Sequence, residues 1–202
     1  MPTYEFEGLR PVVDPAAFVH PDAVLIGDVV VGPECYVGPG AALRGDMGRL
    51  TMGRGANLQD GCIVHSFPQK DVLIDEDAHI GHGAVLHGCV VQRNAMVGMN
   101  AVVMDGAEIG DSAIVAALAF IKAGMKVPAR TLVAGVPCKI IRELKDEEIR
   151  EKERGTRYYQ LLAAACQKSL RKCEPLGAIE EGRGTVPVLD GGDGDQMPKG
   201  KG

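Results

Sequence analysis

The sequence predicts an all-β solenoid: a parallel β-helix of hexapeptide repeats, about seven rungs long, followed by a C-terminal α-helix. Three observations carry this prediction. Aliphatic residues recur at steps of six, a small residue stands four positions after many of them, and the composition suits a narrow interior. Tryptophan is absent, Phe and Tyr contribute four residues each, and glycine contributes 27. Small branched side chains, rather than aromatic rings, must therefore fill the core.

The beat of six runs through Val13, Val19, Leu25, Val31, Val37 and Leu43, then Met52, Leu58 and Val64, then Ile74, Ile80 and Leu86. It resumes at Val91 and continues through Val97, Val103, Ile109, Val115, Ile121, Val127 and Val133. The small residues that follow by four are Cys35, Ala41, Ala56, Cys62, Ala78, Ala84, Ala95, Ala101, Ala107, Ala113 and Ala119. Neither the 3.6-residue period of a helix nor strand alternation yields such a pattern. In a hexapeptide coil each hexad forms one flat side of a triangle, with the aliphatic residue inward and the small residue at the tight corner. Chance periodicity in an α/β protein would also need helices, which the frequent Gly and Pro exclude.

The beat slips in three places. Leu43 to Met52 carries three extra residues and Val64 to Ile74 carries four, so loops are expected to leave the coil near GDMGRL and SFPQ; Leu86 to Val91 is one residue short. Residues 1–137 form the predicted solenoid. Residues 138–174 are rich in helix formers with apolar residues at helical spacing, and Gly155 is expected to divide them into two helices that pack along the solenoid and cap it. Tyr158 and Tyr159 are available there to reach a neighbouring subunit. Residues 175–202, ending GGDGDQMPKGKG, hold too little apolar content to order themselves, and a mobile tail is expected.

Twenty-seven acidic residues against 22 basic ones leave no electrostatic footprint for nucleic acid. The opening MPTYEFEGLR has no basic and then apolar signal region, and no run reaches the ~18 apolar residues of a membrane span, so a cytoplasmic location is expected. The six cysteines form no CxxC pair and read as small buried fillers.

Candidate chemistry lies in HIGHGAVLHGC, residues 79–89. With the inserted residues removed, Val64 to Leu86 spans three hexads, one full rung. His65 and His87, each following one of these aliphatic residues, then occupy the same slot on successive rungs, about 4.8 Å apart. Arg44 lies one rung earlier in that column. His82 falls on the neighbouring side, stacked above Asp60 with Gln59 beside it. Two stacked imidazoles can share a metal ion, but His82 cannot turn back to them within one chain. A homotrimer resolves this: His65 and His87 of one chain meet His82 of the next, and three-fold symmetry generates three equivalent sites. Three neutral imidazoles suit Zn2+, with Fe2+ or Co2+ also acceptable, and leave a position for a water whose pKa falls to about 7. His20 and His79 fit no such scheme and are expected on the surface.

The runs ALRGD (42–46), NLQDGCIVHS (57–66), HIGHGAVLHGC, VGMNAVVMDGA (97–107) and AGVPCKIIREL (134–144) resemble the γ-class carbonic anhydrase-like hexapeptide-repeat superfamily. Within it they are most similar to the PaaY/CaiE-type group, associated with phenylacetate degradation. The resemblance extends to about residue 176. It implies a left-handed coil, metal ligation by His65, His82 and His87 with the middle ligand donated across a trimer interface, and a hydrogen bond from Gln59 to the metal-bound water or the substrate. Arg44 and Asp60 match a charged pair that braces that interface, and Asp46 is retained with them.

One departure matters. The most active carbonic anhydrases of this class carry proton-shuttling glutamates in an acidic loop, and here SFPQKDV (66–72) has none. The resemblance therefore implies a metal-dependent thioesterase acting on CoA thioesters in phenylacetate breakdown ahead of CO2 hydration. A hexapeptide-repeat acyltransferase and a non-catalytic scaffold are the other functions this chain type hosts.

Overall fold

The computed structural model describes residues 1–186, and the solenoid forms as the periodicity predicts. Most hexads contribute a strand of two or three residues, and three walls of parallel strands result. The first wall stacks Thr3–Tyr4, Val24–Val31, Ala42–Met52, Ile63–His65, Val85–His87, Val102–Val103 and Phe120–Ile121. The second stacks Val12–Val13, the far halves of Val24–Val31 and Ala42–Met52, then Val72–Ile74, Val90–Val91, Glu108–Ile109 and Lys126–Val127. The third runs from Phe18–Val19 through Tyr36–Val37, Asn57–Leu58, His79–Ile80, Met96–Val97 and Ile114–Val115 to Thr131–Ala134.

The aliphatic residue of each hexad points inward, as strand alternation requires. Leu25, Leu58, Ile80, Leu86, Val97 and Val115 are fully buried, and so are the corner residues Ala41, Ala56, Ala78, Ala84 and Ala95. One continuous apolar core runs the length of the coil. Among the described residues no buried side-chain nitrogen or oxygen lacks a hydrogen-bond partner.

Two expectations need correction here. The excess between Leu43 and Met52 does not leave the coil as a loop. Ala42–Met52 stays extended around the corner and pairs with Val24–Val31 along its length, which fuses the first two walls into one 12-stranded sheet. Glycine permits this bend: a Cβ on Gly45 would lie 2.4 Å from the carbonyl oxygen of Asp28. The excess near SFPQ does form a loop, closed by a hydrogen bond from the Ser66 hydroxyl to the carbonyl of Lys70.

The second correction concerns the C-terminal segment. It begins with a strand, Lys139–Glu143, antiparallel to Thr131–Ala134. A single helix, Asp146–Ser169, then continues through Gly155 without a break. An interior glycine costs about 1 kcal/mol against alanine, and docking on the third wall outweighs that cost. The helix runs back down the stack. Lys152 donates to the Asp77 carbonyl and to Asn94 Oδ1, Gln160 donates to the Gly55 carbonyl and to Asp77, and Gln167 donates to the carbonyls of Pro15 and Ala17. Ala163 joins a small apolar cluster with Phe18 and Tyr36, whose rings stack at 5.6 Å. Residues 170–186 carry no helix or strand and are exposed; the remainder of the expected tail, 187–202, lies outside the described residues. Among the described residues no helix is long and apolar enough to cross a membrane.

Candidate metal centre

The register of the first wall sets Arg44 opposite His65, and His65 opposite His87. Their inward neighbours Leu43, Val64 and Leu86 are buried, so the three polar side chains must face outward. The two imidazole rings lie 5.1 Å apart with an interplanar angle of 62°. Nδ1 of His65 faces Nε2 of His87 at 3.1 Å.

The other nitrogen of each ring meets a carboxylate. His65 Nε2 is 3.0 Å from Asp46 Oδ1, and His87 Nδ1 is 2.7 Å from Asp105 Oδ1. Arg44 completes the line, donating from Nη1 to Asp46 Oδ2 at 2.7 Å. Burial opposes ionisation of Asp46, but hydrogen bonds from Arg44 and His65 outweigh it and hold the carboxyl below its ordinary range. Asp46 therefore works inside the chain as the partner of both Arg44 and His65. Asp60 takes His82 instead, with His82 Nδ1 at 3.2 Å from Asp60 Oδ2.

This pair of imidazoles fits a metal ion. Zn–N bonds of about 2.0–2.1 Å in tetrahedral geometry separate two ligand nitrogens by about 3.3 Å, close to the 3.1 Å found here. Carboxylates on the far nitrogens are the partners that metal-ligating histidines commonly hold. His82 stands apart from the pair, on the corner that follows the third wall, where its backbone stacks between Asp60 and Asn100. Its Nε2 lies 3.5 Å from the Tyr159 hydroxyl. Among the described residues no group of three His, Cys, Asp or Glu side chains within one chain is placed to hold an ion.

His79 is not the surface residue the sequence indicated. It sits beneath the helix, with Nε2 2.8 Å from Gln59 Nε2 and Nδ1 3.2 Å from Asn57 Nδ2 and 3.4 Å from the Thr156 hydroxyl. The Tyr159 ring meets it edge-on at 5.3 Å. Gln59 is buried, and its amide nitrogen also donates to Asn57 Oδ1. Tyr159 thus packs against Tyr36, His79 and His82 of its own chain. His20 is also half-buried, accepting the backbone N–H of Asp22 at Nδ1.

Burial, reinforced by the charge of Lys152 and by His82, pushes the His79 pKa down to about 4 from 6.5. Folding therefore favours neutral His79. Its contribution is complete above pH 6.5 and is lost as pH falls towards 4, because the unfolded chain takes up the proton first. Chemical denaturation across that window is expected to show an acid-side loss of roughly 1–3 kcal/mol, removed in His79→Gln. An unchanged acid limb in that variant would contradict the assignment.

A parallel ladder of hexads with small corner residues and an outward histidine column defines a hexapeptide-repeat β-solenoid. Residues 88–123 match the family model described as "Bacterial transferase hexapeptide (six repeats)". The chain is 55% identical over 183 residues to the carnitine operon protein CaiE of Salmonella agona (strain SL483), covering 91% of this chain and 92% of that protein. It belongs to this hexapeptide-repeat family, and the similarity runs to carnitine operon proteins named CaiE.

Two solved structures agree. A Bacillus cereus protein described as a candidate acetyltransferase superposes with a TM-score of 0.80 at 33% identity, covering 81% of this chain and 95% of the other. A hexapeptide transferase family protein from Anaplasma phagocytophilum gives 0.78 at 34% identity, with 81% and 97% covered.

The sequence did not single out Asp105 or Asn57, and it offered Tyr159 only as a residue able to reach a neighbouring subunit. Asp105 had a signal, the shortened step from Leu86 to Val91 one rung below it. The contacts of Tyr159 within its own chain had no signal, because the histidines it meets are about eighty residues away.

Proposed function

We propose that this chain is a metal-dependent hydrolase that works as a homotrimer, with CoA thioesters as its substrate class. The observation that carries the reading is the pair of imidazole nitrogens 3.1 Å apart, each ring backed by a carboxylate. His82 of a neighbouring chain is the third ligand. Support for the shared arrangement comes from the wall that bears the pair. Beside the histidines runs an outward apolar column of Ala42, Ile63, Val85, Val102 and Phe120, with Ile63 49% exposed, while the helix covers a different wall.

Zinc, iron or cobalt bound there would supply a Lewis acid and a water activated at neutral pH. His65 and His87 hold the ion, Asp46 and Asp105 orient them, and Asp60 orients His82. In the net reaction water adds its oxygen to the thioester carbonyl carbon, the C–S bond breaks, and CoA leaves as the thiol. CO2 hydration at the same centre is the second reading, favoured by the γ-carbonic anhydrase-like motifs; the loop 66–72, without glutamate, favours the thioesterase. The kinship with transferases keeps acyl transfer from CoA as a third.

Hydrolysis of a panel of aromatic and short-chain aliphatic acyl-CoAs tests the proposal, run beside stopped-flow CO2 hydration. Turnover is expected to vanish after chelation and to return with Zn2+ or Co2+. Full turnover in metal-free protein sinks the metal-dependent reading, and acyl transfer to an acceptor without metal establishes the transferase.

A further inference from the structure

We propose that Asp105 is a positioning residue that locks His87 in its Nδ1–H tautomer, opposite to the Nε2–H tautomer that Asp46 imposes on His65. The two remaining lone pairs then converge as a preformed two-nitrogen seat for a divalent cation. This rests on the metal-dependent reading above.

A carboxylate accepts hydrogen bonds and does not donate them. Each ring must therefore turn its N–H towards its own aspartate: His65 Nε2–H towards Asp46, and His87 Nδ1–H towards Asp105. Neutral imidazole carries one such proton, so His65 Nδ1 and His87 Nε2 are both left as acceptors. They face each other at 3.1 Å. Lone pairs at that distance repel, and the ladder pairing of His65 with His87 keeps the rings from separating. A cation between them turns the repulsion into two coordinate bonds.

The fold makes a specific opening for Asp105. In the rung above, two residues, Asp105 and Gly106, stand between Met104 and the corner residue Ala107; in the histidine rung Gly88 alone stands between His87 and Cys89. At this shortened turn the Asp105 carboxylate lies beside Gly88 and meets His87. A Cβ placed on Gly88 would lie 2.5 Å from Asp105 Oδ1. Gly88 also has φ +53°, a conformation that favours glycine. The shortened hexad, the glycine and the aspartate thus form one device.

Long-range 1H–15N correlation spectra of metal-free protein labelled in histidine, at mildly alkaline pH, read the tautomers directly. The expected wild-type result is His65 protonated on Nε2 and His87 on Nδ1. Asp105→Ala should release His87 to the Nε2–H form and weaken Co2+ binding by about 10–100-fold, whereas Asp105→Asn, which keeps an acceptor oxygen, should retain the Nδ1–H form and most of the affinity. Gly88→Ala should reproduce Asp105→Ala by displacing the carboxylate, and supplies the test if the aspartate variant fails to fold. A proton on His87 Nε2 in the wild type overturns the proposal, as does Asp105→Ala with unchanged tautomers and Co2+ affinity. The spectra need neither metal nor substrate, so absent thioester turnover defeats the hydrolase reading and leaves this one standing.

Discussion

Mixing two inactive variants, His82→Ala and the double variant His65→Ala/His87→Ala, is expected to restore hydrolysis. Each variant alone should lose about 10³-fold or more, because the Lewis-acid contribution of a bound ion is worth several kcal/mol and each 1.36 kcal/mol is tenfold in rate. His82 is separated from the histidine pair within its own chain, so a complete site needs two protomers. Chains unfolded together and reassembled at equal ratio should hold about one intact site in four, formed wherever the pair of one variant meets His82 of the other. Recovery of roughly a quarter of wild-type activity is the expected reading, with metal content rising in proportion. No recovery in trimers shown by mass to be mixed would mean that the three histidines do not share a centre across the interface.

The second large effect is on stability. Ile80 is fully buried, and in the third wall it stands between Leu58 and Val97. Truncating a buried isoleucine to alanine costs about 2–5 kcal/mol, depending on how far the surroundings collapse. Here collapse is restricted. Ladder hydrogen bonds from Gln59 to Ile80 and from Gly81 to Val97 fix the rung spacing, and the corner residues Ala78 and Ala84 are too small to lean into the void. Ile80→Ala is therefore expected in the upper part of that range by denaturant titration. A loss below about 1 kcal/mol would show that neighbouring rungs close the gap.

Much of this architecture was legible because inward residues of a solenoid obey a single period, and Val91 to Val133 follows it without interruption. The register that stacks His87 on His65 follows from counting hexads once the four-residue excess between Val64 and Ile74 is set aside. Where reading failed, the missing information was three-dimensional. A three-residue excess looks the same in sequence whether it forms a loop or, as in Ala42–Met52, a strand bending round a corner where Gly45 lies against Asp28. His79 looked exposed because its position is an outward one; a helix from 77 residues further on covers it. The five-residue step at Leu86–Val91 was visible, but the carboxylate that lies against its Gly88 belongs to the next rung. Gly155 misled for the opposite reason, a real local penalty overridden by long-range docking.

The returning helix also changes how the molecule can come apart. Stacked modules that touch only their neighbours tend to peel from an end, each layer opening at its own small cost. Because Gln167 grips the backbone at Pro15 and Ala17 while Lys152 grips Asp77 and Asn94, the earliest layers cannot open without dragging on those much further along. Fraying is thereby converted into a single concerted event, like a ladder whose lower and middle rungs are lashed to one pole.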